Sequence, residues 1–260
     1  MKAFFKQFHW AHLLYRRYRK LRSLFRKKRP PFQFERIQWS SQSDATEVSR
    51  SKILNILNYT KTSSSSYSAK KFPAGYHTIK IGKDEYAGQR QPESRIQKTG
   101  INFTNKSVLD IGSNQGGMLL AVQEQIKWGV GVDYDYRMIN ASSLIKREKG
   151  ITNLDFYVFD IDKDPHNLLL DYMREDTVDV VFLLAVCAWV KEWRGLINFC
   201  TTRARTLVFE ANGLPKEQAD QIACIEEVFG DVNLCTESSD DDPEYKNRQL
   251  LIAENRNRLR

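Results

Sequence analysis

Residues 107–117 read Ser107-Val108-Leu109-Asp110-Ile111-Gly112-Ser113-Asn114-Gln115-Gly116-Gly117. An apolar run carries an acid near its end, turns on glycines and enters a helix-like stretch, Gly117–Lys127. Glycine in such a turn admits a positive φ and lets a ligand approach the backbone with no Cβ in the way. Many nucleotide folds own a turn of this kind, so the acids that follow carry more information. Asp133 closes the next strand-like run, 23 residues after Asp110. A carboxylate there can accept hydrogen bonds from both hydroxyls of a ribose. Asp160 closes a third run, Asp155-Phe156-Tyr157-Val158-Phe159-Asp160-Ile161. Three successive strands ending in Asp line up three carboxylates on the carboxyl edge of a sheet, where open α/β sheets bind ligands.

Outward from this stretch, short β-branched runs alternate with helical periodicity to the end of the chain. That alternation predicts a parallel sheet with crossover helices. The strands are expected at Ser107–Gly112, Gly129–Tyr134, Leu154–Ile161, Val178–Val186, Thr206–Ala211, Asp231–Thr236 and Gln249–Ala253. Helices are expected at Gly117–Lys127, Arg137–Lys149, His166–Arg174, Trp193–Arg203 and Lys216–Phe229. The last two strands are joined by Glu237–Arg248, a turn-forming segment with no helix, so their pairing should be antiparallel. The fold class is therefore α/β, a Rossmann-like doubly wound sheet of seven strands with an antiparallel last strand. Upstream, Tyr76–Tyr86 alternates about Gly82-Lys83-Asp84 and predicts a hairpin. Residues 32–74 read as a polar linker with Ser63–Ser66 at its centre and a short helix at Ser51–Tyr59.

The 260 residues carry 40 Lys and Arg against 32 Asp and Glu, a net charge of +8. Residues 1–29 hold eleven of those bases and no acid; subtracting them leaves −3 on residues 30–260. The basicity thus belongs to an arm, residues 1–31, and not to a catalytic face. Phe4, Phe8, Ala11, Leu14, Tyr18, Leu21 and Phe25 recur at helical spacing until Pro30 and Pro31 stop the pattern. A basic amphipathic helix suits an anionic membrane surface, where each base near the headgroups contributes about 1 kcal/mol. It also suits nucleic-acid phosphates, simple packing on the body, or a cleaved targeting peptide. No run reaches the roughly 18 apolar residues of a membrane-spanning helix. Cys187, Cys200, Cys224 and Cys235 stand 13, 24 and 11 residues apart, which matches no zinc spacing and predicts buried free thiols and no metal. A reducing, cytoplasmic setting is expected, peripheral to the inner face of a membrane if the arm docks there.

The three strand-end acids with the glycine turn resemble the class I S-adenosylmethionine (SAM)-dependent methyltransferases, over residues 75–255. The resemblance implies SAM as cofactor, with Asp110, Gly112, Ser113, Asn114 and Gly116 under its methionine part. It implies Asp133, with Tyr134 beside it, at the ribose, and Asp160, with Ile161, at the adenine. Asn114 stands where the commonest form of the glycine motif has Gly. A dinucleotide oxidoreductase would want G-x-G-x-x-G, whereas Gly112 and Gly116 are four apart with no glycine at 114. In the bland reading the acids only cap helices and turns.

Tyr86-Ala87-Gly88-Gln89-Arg90-Gln91-Pro92-Glu93-Ser94-Arg95 is similar to a segment before the SAM motif in the RNA 5′-phosphate methyl-capping branch. Arg90 and Arg95 can bind a carboxylate or phosphate through paired N–H groups, and Tyr86 can stack or donate. The rival is a surface ion-pair cluster with Glu85 and Glu93. Val186–Trp193 carries a second, Trp-containing likeness to that branch, and Trp189 is expected as a wall of the acceptor pocket or as core.

The methyl of a sulfonium is already activated, so alignment matters most and supplies on the order of 7–11 kcal/mol. A hydroxyl acceptor still calls for a base. Glu210, at the end of the fifth strand, and His77, in the predicted hairpin, are the catalytic candidates. The expected activity is methyl transfer from SAM to a polar acceptor, a membrane-associated glycan or envelope intermediate if the arm docks on lipid. The alternatives are an RNA methyltransferase gripping phosphates with its arm, and a non-catalytic scaffold of the same fold.

Overall fold

The computed structural model describes residues 35–60, 72–237 and 248–255. The predicted arm helix, the serine run 63–66 and the turn 238–247 lie outside the described residues.

The chain runs through helix α1 (Ala45–Thr60), four short strands β1 (Gly75–His77), β2 (Ile79–Ile81), β3 (Asp84–Tyr86) and β4 (Gly88–Arg90), and helix α2 (Pro92–Thr99). Then come β5 (Ser107–Ile111), α3 (Gly117–Val122), β6 (Trp128–Asp133), α4 (Tyr136–Glu148), β7 (Leu154–Val158) and α5 (Leu168–Tyr172). The chain continues as β8 (Val178–Leu184), a 3₁₀ turn (Cys187–Trp189), α6 (Trp193–Arg203), β9 (Ala204–Glu210), α7 (Pro215–Phe229), β10 (Gly230–Thr236) and β11 (Leu250–Asn255). Strands β5 to β11 form one sheet in the order β10-β11-β9-β8-β5-β6-β7. Strand β11 pairs antiparallel with β9 and β10, while the pairs among β9, β8, β5, β6 and β7 are parallel. The expected seven strands and their final reversal are both present.

Burial explains the strands. Every residue of β5 and β6 is buried, as a central parallel strand covered on both faces must be. Alternate residues feed two cores. Leu109, Val181, Leu183, Leu207 and Phe209 pack with Leu196, Ile197, Ile225 and Phe229 of α6 and α7. Val108, Val180, Phe182 and Val208 pack on the other face with Met118, Leu119 and Val122 of α3. After β7 the chain returns past β5 to lay down β8, which makes the β5/β8 boundary the topological switch point.

Three elements differ from the sequence reading. The short helix of the polar linker is α1, 16 residues long, and it belongs to the body. Its Ile53 and Leu57 join Ile79, Ile81, Met138, Ala141 and Ile145 in a third apolar cluster. The segment after Arg90, given no element in the sequence reading, is α2, with Pro92 pre-set for the first turn and Gly100 closing it at φ 64°. The hairpin is confined to β2 and β3, with Ile79 opposite Tyr86. Strand β1, carrying His77, pairs instead with β4, in parallel.

Candidate functional site

The glycine turn sits at the carboxyl end of β5. Gly112 and Ser113 both donate their N–H to the Val132 carbonyl of β6, at 2.8 and 2.9 Å. Gly112, Asn114 and Gly116 all have positive φ (80°, 51° and 75°). Asn tolerates that region better than other residues with a Cβ, which is why Asn114 can stand where glycine is commoner. Close packing keeps side chains off the other positions. A Cβ on Gly117 would lie 2.5 Å from His77 Cγ, and one on Gly116 2.6 Å from the Phe156 ring.

Asp133 holds the turn in place. Its Oδ2 accepts the Asn114 N–H at 2.9 Å and its Oδ1 accepts the Asp135 N–H at 2.9 Å. Burial raises its proton affinity, and the amide bonds from Asp135 and Asn114 work against that rise. Asp110 is in a different state. Burial, with the nearby Asp133 charge, pushes it up to about 8, against a smaller opposing effect of Arg95. Its Oδ2 is buried and without a hydrogen-bond partner among the described residues, as are Ser113 Oγ, Gln115 Oε1 and His77 Nδ1. Such groups each cost roughly 1–3 kcal/mol, and they cluster here about one turn.

His77 is buried against Gly117, and burial, then the Arg95 and Arg90 charges, lower it to about 3. It is neutral at physiological pH. Gln115, with no signal in the sequence, fixes the segment above: its Nε2 donates to the carbonyls of Ala74 at 3.0 Å and His77 at 2.8 Å.

Arg90 and Arg95 do not form the surface cluster with Glu85 and Glu93; Lys80 pairs with both of those acids, at 3.7 and 2.9 Å. The two arginines are buried and converge on Glu210, Arg95 by a direct ion pair and Arg90 at 3.4 Å. Arg248, which the sequence reading missed, approaches the same carboxylate at 3.7 Å. Glu210 is thus a buried anion held by guanidinium groups from β4, α2 and the lead-in to β11. That arrangement anchors those segments to the end of β9. Tyr86 packs on the apolar cluster shared by α1 and α4.

Asp160 follows β7 at the same sheet edge. It bonds Lys163 Nζ at 2.5 Å and the Asp162 N–H at 3.2 Å, and the Lys163 hydrogen bond lowers its pKa. Tyr134, next to Asp133, is largely exposed, while Ile161 is half-buried on the core. The structure therefore gathers Asp110, Gly112, Ser113, Asn114, Gly116 and Asp133 at one turn, with Tyr134 beside Asp133 and Asp160 in the neighbouring loop.

The remaining wall of this edge comes from the turns after β8 and β9. Val186 lies on Gly112, where a Cβ would come within 2.6 Å of its Cγ2. Asn212, fully buried, donates to the Ala185 carbonyl at 2.7 Å and accepts the Ala188 N–H at 2.9 Å. Gln221 of α7 grips the Asn212 backbone in turn. Trp189, at the end of this braced turn, is 79% exposed and is not core. Cys187 and Cys200 are buried free thiols; burial pushes both up, Cys200 to about 12, so they stay protonated. No group of three His, Cys, Asp or Glu side chains suited to a metal occurs among the described residues, and no helix among them is long and apolar enough to cross a membrane.

No protein-family model and no curated protein matches the sequence. Solved structures do. The N-terminal domain of EvdMO1 with SAH bound superposes with a TM-score of 0.58 at 13% identity, over 84% of this chain and 100% of that one. The same domain in the presence of SAH and D-fucose gives 0.54 at 14% identity, over 69% of this chain and 90% of that one. The bifunctional kinase-methyltransferase WbdD gives 0.53 at 18% identity, over 65% of this chain and 41% of WbdD, so the chain spans less than half of that protein. At these identities the likeness is one of backbone, and with the strand order and the reversed β11 it shows that the chain has the Rossmann-like fold of the class I SAM-dependent methyltransferases.

Proposed function

We propose that this domain binds SAM at the β5–β6 edge and transfers its methyl group to an oxygen or similar nucleophile on a polar acceptor, with a glycan as the favoured acceptor class. The observation that carries the reading is the state of Asp110 and Asp133. Two buried carboxylates end adjacent strands beside a turn of positive-φ residues, one braced by backbone amides and the other with a buried oxygen that no described group meets. A cationic nucleoside suits that pair, because a positive charge stabilises an ionised Asp110 where burial does not.

Gly112, Ser113, Asn114 and Gly116 would hold the methionine part, Asp133 and Tyr134 the ribose, and Asp160 with Ile161 the adenine. When bound, SAM supplies a methyl on a sulfonium, already activated for displacement. The chain's own task is then alignment and exclusion of water. Val186 and the Asn212 brace hold the acceptor side of the edge rigid against Gly112. His77, neutral and buried, shapes the floor of the turn. Glu210, on which three guanidinium groups converge, would hold the segments that carry them against this edge.

A glycan is favoured by two considerations. The body outside residues 1–29 carries a net charge of −3, which opposes a polyanionic strand. One structural neighbour was solved in the presence of D-fucose. The basic arm would place the enzyme on an anionic membrane face, where a lipid-linked acceptor is found. Calorimetry with SAM and SAH tests the central claim: a folded sample giving no heat at about millimolar ligand, far above the usual range for a cofactor site, ends it. Vesicle co-sedimentation and RNA binding, each with and without residues 1–29, test the partner; steep salt dependence on RNA would replace the glycan reading.

A further inference from the structure

Resting on that reading, we infer that Trp189 is the acceptor-contacting platform of the site, a fixed aromatic face on which a sugar ring of the acceptor stacks. Four observations meet here. The Trp189 side chain is 79% exposed, more than any other large apolar side chain named among the exposed ones. Its backbone is nonetheless held on every side. The Trp189 N–H donates to the Val186 carbonyl at 2.9 Å, the Ala188 N–H to Asn212 Oδ1 at 2.9 Å, and the Lys191 N–H to Asp162 Oδ1 at 2.8 Å.

The turn opens on Ala185 at φ 58°, a left-handed conformation that an alanine keeps only where its surroundings over-determine it. The Asn212–Gln221 pair supplies that determination through buried amides. Finally, Val186 in the same turn touches Gly112, so the platform is joined directly to the turn that would hold the methionine part. An ordinary exposed tryptophan has no such scaffold beneath it.

The surroundings of the ring select the class of ligand. Asp162, Lys163, Lys191, Glu192 and Arg194 are exposed on the flanking segments, so charges of both signs are present. An exposed aromatic face on a segment that carries both signs of charge fits a polyhydroxylated ring, its C–H face on the indole and its hydroxyls on charged groups of the flanking segments. A phosphate-rich strand would meet Asp162 and Glu192, and so would an anionic bilayer.

The test uses the full chain saturated with SAH and two probes, D-fucose and D-glucose, followed by saturation-transfer NMR and intrinsic fluorescence. The expected result is saturable binding of at least one sugar, weakened by about tenfold in Trp189→Ala, the scale of a single aromatic contact, and largely restored in Trp189→Phe. SAH affinity of both variants should equal that of the wild type, which also certifies their folding. Sugar binding indifferent to Trp189→Ala overturns the inference, as does the absence of binding by either sugar. Failure of SAH itself to bind the wild type would instead count against the methyltransferase reading.

Discussion

Asp133 and Asp110 end neighbouring strands beside one glycine turn, and Asp133 raises the proton affinity of Asp110 while its own carboxylate is braced by the Asn114 and Asp135 amides. Burial raises both carboxylates, but the amides work against the rise at Asp133, while Asp110 is not charged until a ligand, or a higher pH, makes it so.

Asp110 makes stability pH-dependent in a defined sense. Its folded value of about 8 lies above its ordinary value of 3.8, so the folded state holds a proton that the unfolded state has released. Its contribution is complete below the ordinary carboxylate range and is lost as pH rises through about 8. Urea midpoints should fall as pH rises from about 5 to about 8 in the wild type and then level off, and Asp110→Asn should remove most of that fall.

The same proton reports on the ligand. A cation bound beside Asp110 favours the carboxylate, so SAM binding near neutral pH should release a proton. Calorimetry in buffers of different ionisation enthalpy measures this release, and Asp110→Asn should abolish it.

Asp133→Ala removes the acceptor of two backbone amides as well as the proposed ribose contact. SAH affinity should drop by about 1–3 kcal/mol. An unchanged affinity, measured on a folded variant, takes the ribose assignment away.

Glu210 is the carboxylate on which Arg90, Arg95 and Arg248 converge, and it is 3% exposed. Glu210→Ala leaves buried guanidinium groups without it and should destabilise the domain by roughly 3–5 kcal/mol. Chemical denaturation reads this directly; a loss under about 1 kcal/mol would place the pair among exposed ion pairs in effect.

His77 lies where a Cβ on Gly117 would go. Gly117→Ala should cost about 1–3 kcal/mol through overpacking. In a double-mutant cycle with His77→Ala the cost should shrink, because the second change opens the space. Full additivity of the two would show that the contact is not what constrains residue 117.

How far the sequence could be read follows the range of each interaction. Strands β5, β6, β8 and β9 were legible because burial on both faces demands continuous apolar runs, and Asp110 and Asp133 were legible because they stand at the ends of such runs, as Asp160 was because it follows the edge strand β7. The helix α2 carried its own signals, Pro92 and Gly100, at the two ends of a stretch to which no element was assigned. The hairpin was extended too far because the three-residue strand β1 pairs in parallel with β4, beyond the intervening β2–β3 hairpin, and no local pattern encodes that choice.

The sequence by itself determined the alternation of strand and helix, the glycine turn and the order of the acids, since each depends on neighbours along the chain. Tertiary structure decided what those groups do. Glu210 became a buried counter-ion because its partners come from 115 and 120 residues away, and Trp189 stayed in solvent because Asn212, on another strand's turn, braces the backbone beneath it. Charge state and exposure are set by what folding brings alongside a residue, and that is a property of the packed sheet edge.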